Sequence, residues 1–302
     1  MREHFAEQVQ AANPDGWRAA HNRLYEHYCG QAEDQPDTLV GLTPLFAAVG
    51  HGCQAGRRQE ALDRVYWRRI RRDNEAHSII KLGAIGADLA ALAGFFEEPW
   101  RRPASELKEA DRAWVLSEAG FDLRALGRLA EAAEPMQASL EMYEADENWK
   151  AAAITAGNLS ELHLAAGAAA RAVDVARQAV ALADRSGDAF QRMGKRTTLA
   201  DALHQAGDVA GAAALFAEAE ISQRTMQPEY PLLYSLRGYQ YHDLLLAQGQ
   251  ADEVLRRATQ TLAWDEPFGR LLDTGLHHLA LGRACALAGD RAQAAAHLGQ
   301  VV

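Results

Sequence analysis

Asn158-Leu159-Ser160-Glu161-Leu162-His163-Leu164-Ala165-Ala166-Gly167-Ala168-Ala169-Ala170-Arg171-Ala172 is followed forty residues on by Thr198-Leu199-Ala200-Asp201-Ala202-Leu203-His204-Gln205-Ala206-Gly207-Asp208-Val209-Ala210-Gly211-Ala212. In both, an apolar-periodic stretch ends at a glycine and a small residue stands five positions later. The pattern recurs as Gly56/Ala61, Gly127/Ala132, Gly167/Ala172, Gly207/Ala212, Gly249/Val254 and Gly289/Ala294, so the glycines step by 71, 40, 40, 42 and 40 residues. A glycine just past a helix end adopts the left-handed conformation that closes the helix at no side-chain cost. A small side chain in the first turns of the next helix then lets the two helices approach. Each unit reads as a helical hairpin, and fixed-period hairpins read as a stacked array.

In four of the units the first helix carries a small residue seven positions before the glycine and an apolar one before that: Ala119-Gly120, Leu159-Ser160, Leu199-Ala200 and Leu281-Gly282. Phe216 and Ala219 supply a large and a small position in a second helix. These positions resemble the tetratricopeptide repeat. The resemblance implies an all-α, right-handed superhelical solenoid of antiparallel helix pairs whose first helices line a concave groove. Three features depart from that pattern: a period near 40 instead of 34, the bulky Tyr241-His242 at a small-residue position, and Pro135 inside a second helix. Lacking an amide donor, Pro135 predicts a helix that starts late or bends.

The 71-residue first interval is too long for one repeat. It predicts a helix from about Ser78 to Ala93, then an ordered loop, Gly94 to Pro103, whose aromatics plug the stack; the irregular repeat spans 74–108. Ahead of the array, Asn13-Pro14 is a helix-start signal with proline at the first position, and Thr43-Pro44 repeats it. The polar segment 31–37 separates a helical lead-in, residues 1–30, from a solenoid over 39–302. The apolar end Leu298 to Val302 lacks the polar cap that solenoids need, which favours a chain that continues, or self-association through that end.

Arg2-Glu3-His4-Phe5, Trp17 to Tyr25, Tyr66 to Ile70 and Lys195 to Asp201 resemble the repeat region of bacterial STAND regulatory ATPases with NACHT or NB-ARC-type switches. That resemblance implies that residues 1–30 follow a winged-helix/ATPase region and that the repeats act as a sensor or autoinhibitory arm in signalling or defence. The alternatives are a free-standing adaptor or peptide receptor and, third, an enzyme.

Composition narrows the chemistry. With 48% apolar and 24% charged residues the chain can bury a core, and a formal charge of -10 argues against nucleic-acid binding. No apolar run reaches the length of a membrane span and no signal-peptide core opens the chain, which places it in the cytoplasm. The three cysteines, Cys29, Cys53 and Cys285, are too scattered for a disulfide framework or a zinc site. Gly194-Lys195-Arg196-Thr197 fails as a phosphate loop, since Ala189 stands where the first glycine belongs and Arg196 where Ser or Thr does. No metal-ligand spacing, cofactor motif or nucleophile elbow emerges, so the chain reads as non-catalytic, with no cofactor and no metal.

Two surfaces are candidates for recognition. Arg57, Arg64, Arg68 and Arg71 share one face of a second helix at 100 degrees per residue, opposite Leu62, Tyr66 and Ile70, and could dock an acidic partner. Carried over by repeat position, the groove residues six before each turn glycine are Phe121, Glu161, Asp201, Asp243 and Arg283, with Arg124, Asn158, Thr197, His204 and Tyr239 nearby. Glu161, Asp201 and Asp243 form an acidic ladder. It lacks the lysines and asparagines of carboxylate clamps, so a cationic or polar segment fits better. The expected partner is a protein or peptide ligand, or the fused ATPase domain.

Overall fold

The computed structural model describes residues 8–301, and Arg2-Glu3-His4-Phe5 lie outside them. The fold is all-α and tetratricopeptide-like, built from antiparallel helix pairs with one small β-hairpin. It divides into two compact units, Met1–Ser139 and Leu140–Val302. The N-terminal unit holds α1 (Pro14–Gln31), α2 (Leu39–Gln54), α3 (Arg58–Glu60) running on into a π-helix (Ala61–Arg71), α4 (His77–Ile80), α5 (Ile85–Leu92), β1 (Phe96–Glu98), β2 (Arg102–Pro103) and α6 (Glu109–Ala125). The division falls inside α7 (Leu129–Ala145). The C-terminal unit continues with four hairpins: α8 (Trp149–Ala165) with α9 (Ala169–Ser186), α10 (Ala189–Gln205) with α11 (Val209–Met226), α12 (Ser235–Ala247) with α13 (Ala251–Asp265), and α14 (Leu271–Leu287) with α15 (Arg291–Leu298).

All six repeat glycines sit at the hairpin turns with positive φ, from +75° to +91°. At each, the amide of the following residue bonds back to the carbonyl five residues earlier, as in Ala168 N to His163 O and Asp208 N to Leu203 O. The small residues five positions on are buried, with Ala61, Ala132, Ala172, Ala212 and Val254 at 0% exposure. They set the closeness of the paired helices. Ser160 Oγ donates to Ala172 O at 2.9 Å across one hairpin. In α6, a Cβ on Gly120 would come within 2.4 Å of Met136 Cγ. Tyr241, the bulky departure, stacks on Phe216 at 4.9 Å and thereby fills the space that a small residue would leave.

Several local expectations are corrected. The helix read over Ser78 to Ala93 is two, α4 and α5, because Gly83 takes φ +61° between them. The loop after it folds as the β1/β2 hairpin, and Phe95 and Phe96 are buried, Phe95 edge-on to Tyr66 at 5.7 Å. Pro44 does not start α2. Thr38 caps that helix, its hydroxyl accepting from Gly41 N, and Pro44 lies in the second turn. Of the two outcomes expected for Pro135, the late start does not occur: α7 begins at Leu129 and runs through it. Asn13 caps α1 as read, with Pro14 at the first position. α1 then packs on α2 through buried Tyr25, with Trp17 Nε1 donating to Gln54 and Tyr28 stacked on His51.

The N-terminal unit also encloses a polar cluster. Tyr66 hydroxyl and Ser78 Oγ donate to Asp88, while Arg71 pairs with Glu118 at 2.6 Å. Asp122, fully buried, finds no donor for either carboxyl oxygen, and its neighbour is Asp88. Three carboxyls around one guanidinium cannot all be ionised in a buried site. Burial first, then Asp88 and Glu118, push the Asp122 carboxyl up to about 9, so it is neutral near pH 7 and shares its proton with Asp88.

Candidate functional site

The basic face of the N-terminal unit is reduced by the geometry of the π-helix. A π-helix bonds i to i+5 and winds more slowly than 100 degrees per residue, which carries Arg71 off the outer face and into the polar cluster at 7% exposure. Arg57 is also consumed: it bonds Asn22, Glu26 and Glu60 and lies 4.4 Å over the Tyr25 ring. Arg69 donates to the carbonyls of Cys29, Ala32, Glu33 and Asp34, and Arg72 to those of Gln35 and Pro36. These arginines fasten the end of α1 and the connector after it. Of the four face residues, Arg64 and Arg68 remain exposed, and Arg64 is already 3.0 Å from Glu60. Arg124, the groove candidate of this unit, is half-buried with its guanidinium 5.4 Å over Phe121.

In the C-terminal unit the first helices pack side by side in the order α8, α10, α12, α14. That brings Glu161, Asp201 and Asp243 onto one face. The carboxyl of Asp201 is pushed up to about 7, by burial first and then by the charges of Glu161 and Asp243. Gln240 Nε2 reaches Asp201 at 3.4 Å, and Gln205 Nε2 reaches Asp243 at 3.2 Å. Arg283 closes the row by donating to Asp243 and, at 3.2 Å, to the Tyr239 hydroxyl, while His204 Nδ1 stands 3.6 Å from Asp243. Asn158 is half-buried beside this row on α8. Thr197 does not join it. Its side chain is 1% exposed and its hydroxyl donates back to Gly194 O at 2.7 Å, satisfying itself within α10.

Sequence reasoning missed two cations on these helices. Arg237, on α12, crosses to α10, where its guanidinium lies 4.3 Å over the Phe190 ring. Lys195, on α10, reaches back to α8. The available signal was mid-helix glycine: a Cβ on Gly157 would meet Lys195 Nζ at 2.5 Å, and one on Gly194 would meet Arg237 Nε at 3.2 Å. Glycine inside a helix is disfavoured by roughly 1 kcal/mol relative to alanine, and here each one makes room for a cation from the next hairpin.

Among the described residues no group of three or more His, Cys, Asp or Glu could hold a metal ion. No described helix is long and apolar enough to cross a membrane.

No family model matches the chain, and no curated protein does. Solved structures do. Two crystal structures of a kinesin light chain-type protein with nearly identical TPR-like repeats from Podosopora anserina align at 20% identity. They cover 65% and 64% of this chain and 95% and 94% of theirs, with TM-scores of 0.46 and 0.45. BtubC (BKLC) from P. vanneervenii aligns at 16% identity over 64% of this chain and 79% of its own, with a TM-score of 0.49.

Proposed function

We propose that the chain is a non-catalytic recognition module and that the first-helix face of its C-terminal unit binds a peptide segment of a partner protein. The observation that carries this reading is the acid row: burial first, then the charges of Glu161 and Asp243, leave Asp201 holding a proton near neutrality. Like charges gathered on one face weaken the fold that gathers them, and a cationic group seated over Asp201 relieves that repulsion. Arg283 already does so at one end, opposite Asp243. A lysine or arginine of a bound segment would do the same for Asp201.

The test is selection from a randomised 12-residue peptide library on the wild-type chain and on the triple variant E161Q/D201N/D243N. The expected wild-type pool is enriched in Lys or Arg at one position, and the variant loses that enrichment. A wild-type pool without basic enrichment, or equal pools, would sink the reading. The same face serves the arm of a STAND ATPase or a free-standing adaptor equally well. The full reading frame separates these, since the first requires an ATPase joined ahead of residue 1.

A further inference from the structure

The cation that crosses between α12 and α10 is the least compensated charge on this face. Arg237 makes no ion pair and no hydrogen bond among the described residues, and its guanidinium lies 4.3 Å over the Phe190 ring. Its guanidinium also occupies the space a side chain at Gly194 would take, since a Cβ there would lie 3.2 Å from Nε and 3.3 Å from Nη2. Any larger residue at 194 would press on it. Glu161, Asp273 and Tyr234 are near enough to favour its charge, yet none bonds it. Asp273 is engaged by Ser235 and, at 3.6 Å, by Arg270. Desolvation dominates, pulling the guanidinium below its ordinary value.

A guanidinium has five N–H donors in a planar fork and nothing to accept with. Left partly dehydrated without an acceptor it is costly, and the group that fits the fork bidentately is a carboxylate or another oxyanion. Phe190 lies beneath the guanidinium and is itself 46% exposed, so the seat is reached from solvent. We infer that Arg237, seated on Phe190 and Gly194, is a subsite for an acidic side chain of the bound peptide. This rests on the peptide-binding reading above and adds a second, opposite charge requirement to it. Arg237 and Asp243 both lie on α12, six residues apart, which at 1.5 Å per residue separates the two requirements by roughly 9 Å along the helix. A segment carrying both an acidic and a basic residue satisfies them together.

The experiment is the same 12-residue library selected on wild type, R237Q and R237K, with circular dichroism confirming equal helicity. Wild-type pools should be enriched in Asp or Glu at one position in addition to the basic one. R237Q should lose the acidic enrichment and keep the basic one, and R237K should retain part of it. Re-synthesised wild-type binders should weaken about 10- to 100-fold on R237Q, and the same binders with Asp→Asn should bind wild type and R237Q alike. Replacing that Asp by phosphoserine should preserve binding to wild type, because the fork accepts either oxyanion. Basic enrichment without acidic enrichment, or acidic enrichment undiminished on R237Q, would overturn the Arg237 subsite and leave the acid row standing. No binders at all on wild type would overturn both.

Discussion

Asp122→Asn should stabilise the protein, and by an amount that depends on pH. In the native state Asp122 is buried between α6 and the Asp88/Glu118/Arg71 cluster and keeps its proton up to about pH 9, whereas in the unfolded chain it ionises near its ordinary 3.8. A carboxyl whose folded value is raised stabilises the fold fully only below the unfolded value, and that contribution is lost as pH climbs from there toward 9. At about 1.4 kcal/mol for each pH unit between 3.8 and 7, keeping it neutral at pH 7 costs roughly 4 kcal/mol. Asparagine is nearly isosteric, is never charged, and its Nδ2 can donate to Asp88 as the shared proton does. Hence D122N should gain up to about 4 kcal/mol at pH 7 and close to nothing at pH 4. Urea unfolding of both proteins at pH 4, 5.5 and 7 measures the gap directly. A gap that does not widen with pH, or a variant destabilised at pH 7, would refute the shared-proton account.

The other predictions concern the repeats and the acid row. Ala172→Leu should destabilise by about 1 to 3 kcal/mol through overpacking, since Ala172 is fully buried beneath the Ser160 bond; thermal or urea unfolding checks it. Affinity for a lysine-bearing peptide should rise between pH 6 and 8 as Asp201 ionises near 7, and D201N should flatten that dependence in a fluorescence titration. His242 is buried without a partner, and burial, then Arg257 and His277, press its pKa down to about 3. Its folded value therefore lies below the unfolded 6.5, so stability present above pH 6.5 should fall by up to roughly 1.4 kcal/mol per unit on acidification. His242→Leu should make that decline shallower, as acid unfolding monitored by circular dichroism would show.

The hairpin turns were legible because glycine answers a backbone requirement that depends on nothing distant, and all six repeat glycines take positive φ. The acid row was legible for a related reason: repeat arithmetic places Glu161, Asp201 and Asp243 at one helical position, and adjacent first helices bring that position together. What failed was arithmetic that presumed an ordinary helix. Spacing at 100 degrees per residue put Arg71 beside Arg64, but eleven residues of π-helix turned it inward to Glu118. Gly83 was likewise read through as part of one helix, though its left-handed φ splits α4 from α5. Arg237 escaped notice because its contacts, Phe190 and Gly194, lie on the neighbouring helix, which no pattern within α12 reveals.

The placement of one charge on the first helices bears on the proposed peptide site. Helix dipoles favour acidic groups near N-termini and basic groups near C-termini. On α12 Arg237 stands in the first turn, against that preference, while Asp243, fifth from the end, lies outside the last turn where the effect has faded. Asp201 stands equally close to the end of α10, and Lys195 precedes it by six residues, as Arg237 precedes Asp243. Local helix stability would select against Arg237 at its position, and within the protein Arg237 is left without a counter-ion. An acidic residue of a bound segment would supply the partner that Arg237 lacks on α12 and its neighbours.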